Sequence, residues 1–88
     1  MSALAKVATR FAEAEIDDEI VLMRLDNGDF FGLENTAAAI WRLIDGHRDR
    51  DELVAALAHE FSVEPAEIGE DVDAFLDRLA KAGLVVQS

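Results

Sequence analysis

Apolar and polar positions divide the chain into an extended first part and a helical second part. From Phe11 to Ile16 the sequence FAEAEI alternates apolar and acidic residues, the period of two that marks a half-buried strand. Asp17-Asp18 turns the chain. Glu19 to Leu25 is then apolar nearly throughout, as suits a central strand covered on at least one face. Asp26-Asn27-Gly28-Asp29 follows, and Asn-Gly is a strong hairpin signal because both residues tolerate the positive φ of a tight turn. Asp29 to Leu33 returns as the partner strand. A two-residue turn at Asn27-Gly28 pairs Leu25 with Phe30 and puts Met23 on the Phe30 face. A three-residue loop with a glycine bulge pairs Met23 with Phe31 instead. In either register Phe31 and Leu33 share one face and Phe30 takes the other, so one phenylalanine packs on the core and the second needs another explanation.

Asn35 stands where it can cap a helix, and Ala37, Ile40, Trp41 and Ile44 predict that helix from about Thr36 to Asp45, with Gly46 as its left-handed stop. Asp49-Arg50-Asp51-Glu52 has the form of a capping box. Leu53, Val54, Leu57 and Phe61 form the stripe of a second helix, broken at Ser62 and Val63. Glu64-Pro65 opens a third, whose stripe is Ile68, Val72, Phe75, Leu76 and Leu79 and whose end is Gly83. Leu84, Val85 and Val86 are short, apolar and extended, and should lie back on the core. Residues 1–10 are weakly patterned and are expected to form a loosely ordered arm, leaving residues 11–88 as a single domain. Strands first and helices after give an α+β, winged-helix-like fold, a three-stranded antiparallel sheet followed by three helices.

Composition narrows the function. At 88 residues, half of them apolar, the chain has enough material for one core, and it has no cysteine for disulfides or thiolate metal sites. No apolar run is long enough to span a bilayer, and Met1 to Ala8 lacks the core of a secretion signal, so a cytoplasmic address is expected. The net charge of −11 disfavours nucleic acid and anionic membrane. The third helix makes the same point, with Glu67, Glu70, Asp71, Asp73 and Asp77 against Arg78 and Lys81. Chemistry is sparse. The hydroxyls of Ser2, Thr9, Thr36, Ser62 and Ser88 fall at termini, caps or helix ends. His47 and His59 have no second ligand at metal spacing, and the glycines never cluster into a phosphate loop. Neither an enzyme nor a cofactor is expected. A carrier domain would need a serine in an Asp-Ser-Leu type sequence, which is absent.

The hairpin LDNGDFFGLEN from Leu25 to Asn35, the helix ending IWRLIDG at Gly46, the stripe ELVAALAHEF from Glu52 to Phe61 and the closing DVDAFLDRLAKAGLV from Asp71 to Val85 occur in that order. This arrangement, over roughly residues 11–86, resembles the PqqD-like family, the peptide chaperones of pyrroloquinoline quinone synthesis and the related recognition elements of ribosomal peptide modification. Glu34 departs from the family's more usual direct Leu-Asn join and shifts the cap by one. The resemblance implies a non-catalytic adaptor that binds the leader of a precursor peptide as an added strand, in a groove between the third strand and the third helix. It places the ladder on Asp29, Phe30, Phe31, Gly32 and Leu33, and the opposite wall on Asp71, Phe75, Arg78 and Leu79. Phe75 and Leu79 also read as core, and Arg78 as a charge complementing the helix dipole. A Phe-Phe-Gly-Leu strand without lysine or proline is poorly protected against pairing, and proteins usually blunt such edges unless they use them. The partners implied are the leader region and a peptide-modifying enzyme, a radical enzyme or a leader protease. The domain itself would be a monomer or weak homodimer. The alternatives are a winged-helix DNA-binding regulator and a regulatory subunit that binds a folded protein through the same edge.

Overall fold

Each strand and helix expected from the patterning forms, and one more strand joins them. In the computed structural model, which describes residues 3–87, the order is β1 (Leu4–Lys6), a 3-10 turn at Ala8–Arg10, β2 (Phe11–Ile16), β3 (Glu19–Arg24), β4 (Phe30–Leu33), α1 (Thr36–Leu43), α2 (Arg50–Phe61), α3 (Pro65–Lys81) and β5 (Val85–Gln87). β2, β3 and β4 make a three-stranded antiparallel sheet in that order, and β1 pairs with β5 in a second, two-stranded sheet. The arm expected over residues 1–10 is therefore corrected for Leu4–Lys6. Leu4 is buried, its N–H donates to the Arg48 carbonyl, and its own carbonyl accepts from Gly46 N–H. Met1 and Ser2 lie outside the described residues. Leu84 and Val85 are buried, as expected of a segment lying back on the core, whereas Val86 points outward and is exposed.

The hairpin adopts neither register considered from the sequence. Met23 faces Phe30 and Leu22 faces Phe31, because the turn is a four-residue loop, Leu25 to Gly28. Gly28 N–H donates to the Arg24 carbonyl and Arg24 N–H to the Asp29 carbonyl, each at 2.8 Å, with Gly28 at φ +75° closing the loop in the left-handed region. Leu22, Ile20 and Leu33 consequently turn into the core, with Phe31 packed half-buried beside them.

β2 forms as expected, but the side of it that faces the helices is the acidic one. Glu13 lies opposite Leu22 and Glu15 opposite Ile20, so both share the core face. The cause lies in α1. Trp41 is fully buried, stacks edge-on to Phe11 at 5.2 Å, carries Lys6 Nζ 4.5 Å above its ring, and donates its Nε1–H to Glu13 Oε1 at 3.1 Å. Arg42 Nε donates to Glu15 Oε1 at 3.1 Å. A buried indole N–H needs an acceptor, and the glutamates on β2 supply one for it and a counter-charge for the arginine.

The helices follow their local signals closely. The Asp49 capping box is complete, with Glu52 N–H donating to Asp49 Oδ1 at 2.8 Å and Asp49 N–H to Glu52 Oε1 at 3.1 Å. α3 begins at Pro65 and ends in a Schellman pair, Leu84 N–H to the Leu79 carbonyl and Gly83 N–H to the Ala80 carbonyl. α1 stops at Leu43, short of Asp45, because Ile44 is already extended. Asn35 occupies the cap position with φ +54° and makes no side-chain cap bond, contrary to the expectation.

Candidate functional site

β4 is bonded to β3 on one side only, so its other edge is open within the sheet. Arg24 N–H donates to the Asp29 carbonyl, which fixes the alternation of the antiparallel ladder that continues from it. Phe31 and Leu33 then direct their backbone groups to β3. Phe30 and Gly32 direct theirs to the free edge. Their side positions lie on the outer face of the sheet, where Phe30 is 70% exposed and a Cβ added at Gly32 would meet nothing within 4 Å. Asp29, expected as the first rung, precedes β4 and turns its carbonyl to Arg24 N–H, away from the free edge. Its N–H donates to Asn27 Oδ1 at 3.0 Å and its carboxylate accepts from Asn27 Nδ2 at 3.1 Å.

On α3 the structure brings three of the four expected residues together. Asp71, Phe75 and Arg78 line a crevice of about 260 Å³, with Ala74 between them. Leu79 is corrected to core, since it is 1% exposed and points inward with Val72. The facing wall is the start of α1, Thr36, Ala37 and Ile40, which sequence reasoning did not assign to a site. A signal for it existed in the small residues at the first turn, which leave room beside Ile40 one turn later. The crevice opens close to where the chain leaves β4, because Thr36 follows Leu33 by three residues.

α3 is held in place from its far side. Arg50 on α2 donates Nε and Nη2 to the two oxygens of Asp73, each at 2.8 Å. The hydrogen bonds from Arg50 hold the Asp73 carboxyl below its usual range. Gly69 leaves the guanidinium room as it lies here, since a Cβ there would come within 2.9 Å of Arg50 Nη2 and shift the end of that side chain. Chemically the site offers backbone donors and acceptors along an edge, an exposed phenyl ring, and a crevice with one acid and one base at its mouth. Among the described residues no group of three or more histidines or carboxylates is placed to hold a metal ion, and no helix is long and apolar enough to cross a membrane.

Comparison with known proteins bears on this geometry directly. The sequence profile of the family described as coenzyme PQQ synthesis protein D (PqqD) matches residues 19–85. The PqqA binding protein of Rhodopseudomonas palustris (strain TIE-1) is 38% identical over 55 residues, 62% of this chain and 54% of that protein. The chain thus spans about half the length of that curated relative. The solved structure of TbiB1 in complex with the TbiA(beta) leader peptide matches with a TM-score of 0.80 and 35% identity, over 91% of this chain and 93% of that one.

Proposed function

The chain belongs to the PqqD family, and from that premise we propose that it is a non-catalytic adaptor that captures the leader of a ribosomally made precursor peptide and presents it to a modifying enzyme in the cytoplasm. The observation that carries this reading is the open edge of β4, to which Phe30 and Gly32 turn their backbone groups, together with the crevice lined by Asp71, Phe75 and Arg78 whose other wall starts at Thr36, three residues beyond Leu33. An incoming strand draws affinity from those backbone groups and specificity from the pockets beside them. Two bonded rungs are weak alone, at about 1 kcal/mol net for each hydrogen bond. The crevice must therefore supply the rest, with an apolar leader side chain against Phe75 and Ile40 and an acidic one near Arg78. The relative from Rhodopseudomonas palustris carries PqqA binding in its name, and TbiB1 was solved with a leader peptide; both support a peptide as the occupant here.

Presentation acts by effective concentration. A leader held on the adaptor keeps the reacting part of the precursor near the enzyme and limits its register. The partner enzyme is a radical enzyme or a leader protease, and the adaptor works as a monomer or weak homodimer. An amide NMR titration of the labelled domain with candidate leaders encoded beside it tests the proposal. Shifts concentrated at Phe30 to Leu33 and along the Asp71, Phe75, Arg78 side of α3 are expected. Saturating leader that moves no amide there would overturn it.

A further inference from the structure

The outer face of the main sheet is nearly free of charge in a chain of net −11. Ala12, Ala14 and Ile16 on β2, Val21 and Met23 on β3, and Phe30 on β4 all lie on it, with Glu19 opposite Ile16 as its one charged strand residue, and Ile16 and Phe30 are 62% and 70% exposed. The register and the acidic inner side of β2 together force this arrangement. Glu13 and Glu15 face α1, so the alanines and the isoleucine between them face outward. Contiguous apolar surface of this kind marks a protein contact. An extended leader cannot cover it, because strand addition uses the edge of a sheet and leaves both faces as they were.

We infer that this face docks the peptide-modifying enzyme through an apolar patch bounded by lysine or arginine. That partner's identity rests on the leader-capture reading, whereas the face does not. Charge chooses the occupant. Both ends of the strands are acidic, with Asp17, Asp18 and Glu19 at one turn and, more weakly, Asp29 and the Arg24-paired Asp26 at the other. Two copies stacked as aligned sheets would set acid against acid at each end, on top of −11 per chain. A basic rim on a different protein turns the same charges into attraction. At one end the match is specific, because Ile16, Asp17, Asp18, Glu19, Glu34 and Asn35 line a crevice of about 380 Å³. A lysine or arginine entering there lays its stem on Ile16 and its charge among the carboxylates. A leader added at β4 would extend the sheet beside Phe30, so the enzyme would meet the adaptor's face and the leader's outward side chains as one surface.

The test uses the full chain with the modifying enzyme encoded beside it, measured by surface binding in low and physiological salt, and with the leader in a parallel titration. Ile16→Asp and Ala14→Asp alter exposed positions and should weaken enzyme binding tenfold or more, with leader affinity unchanged within twofold. Asp18→Lys should slow association several-fold at low salt. Enzyme binding untouched by both aspartate variants overturns the inference, as does a wild-type dimer in sedimentation that Ile16→Asp dissociates. Enzyme binding that these variants break, in a chain that takes up no leader, upholds the face and removes the leader-capture reading instead.

Discussion

The main sheet has two edges, and they are treated differently. β2 ends the sheet on one side with Glu13 and Glu15 on its core face, both tied to α1 through Trp41 and Arg42. Inward-pointing charge is one of the devices that keep an edge from pairing, since a neighbouring strand brought alongside would have to accommodate those carboxylates. β4 ends the sheet on the other side with Phe30, Phe31, Gly32 and Leu33 and carries no charge at all. The same sheet therefore blunts one edge and leaves the other bare, which is the arrangement expected of a protein that admits a strand on one side only.

The largest effect should come from closing the bare edge. Gly32→Pro removes an N–H that points away from β3, so the ladder within the domain survives while the incoming strand loses a donor and meets a ring. Leader affinity should fall more than tenfold by calorimetry, with the thermal midpoint little changed. Gly32→Ala keeps the N–H, and its added Cβ has open space, so it should bind as the wild type does. Equal binding by the proline variant would mean that β4 is not the edge in use.

A smaller effect should come from opening the guarded edge. Glu13→Gln with Glu15→Val retains an acceptor for the Trp41 N–H and strips the charge from β2. Folding stability should drop by about 1 kcal/mol or less, the scale of an exposed ion pair. Sedimentation velocity should now show self-association that grows with concentration. A double variant that stays monomeric at high concentration would mean that the glutamates serve α1 alone and do not guard the edge.

The smallest effect should lie far from both edges. Hydrogen bonds from Arg50 lower the Asp73 pKa from an ordinary value of 3.8, so this pair contributes stability above that value and loses it as pH falls through the depressed folded one. Because the pair is largely exposed, Asp73→Asn should cost no more than about 1 kcal/mol at neutral pH. In urea melts the difference between wild type and variant should shrink below about pH 4. Leader binding should be the same in both, since Asp73 sits on the side of α3 away from the Asp71, Phe75, Arg78 crevice. A gap between the two that persists into acid would mean that the Arg50–Asp73 pair is not its source.

How far the chain could be read in advance depended on how local each signal is. Asp49 and Glu52, Pro65, and Gly83 with Leu84 act on backbone groups within a few positions of themselves, and α2 and α3 formed with the capping box, the starting proline and the C-terminal pair that these residues imply, whereas Asn35 did not cap α1. The apolar stripe from Ile68 to Leu79 likewise named a buried face. It could not separate Leu79, sealed in the core, from Phe75, which also walls the crevice, because one helical period serves both. The strands were legible as strands but not in their pairing. A turn of two, three or four residues satisfies the same Asn-Gly signal, and the register settled only when Ile20, Leu22 and Leu33 packed together. The face of β2 depended on partners 27 and 28 residues away, the Arg42 guanidinium and the Trp41 indole, whose needs outweighed the usual preference for alanine inside and glutamate out. β1 became a strand only because β5, at the far end of the chain, was there to pair with it. Capping and periodicity are written within one helical turn of sequence, whereas register, the facing of a strand and the openness of an edge are properties of distant surfaces that meet on folding.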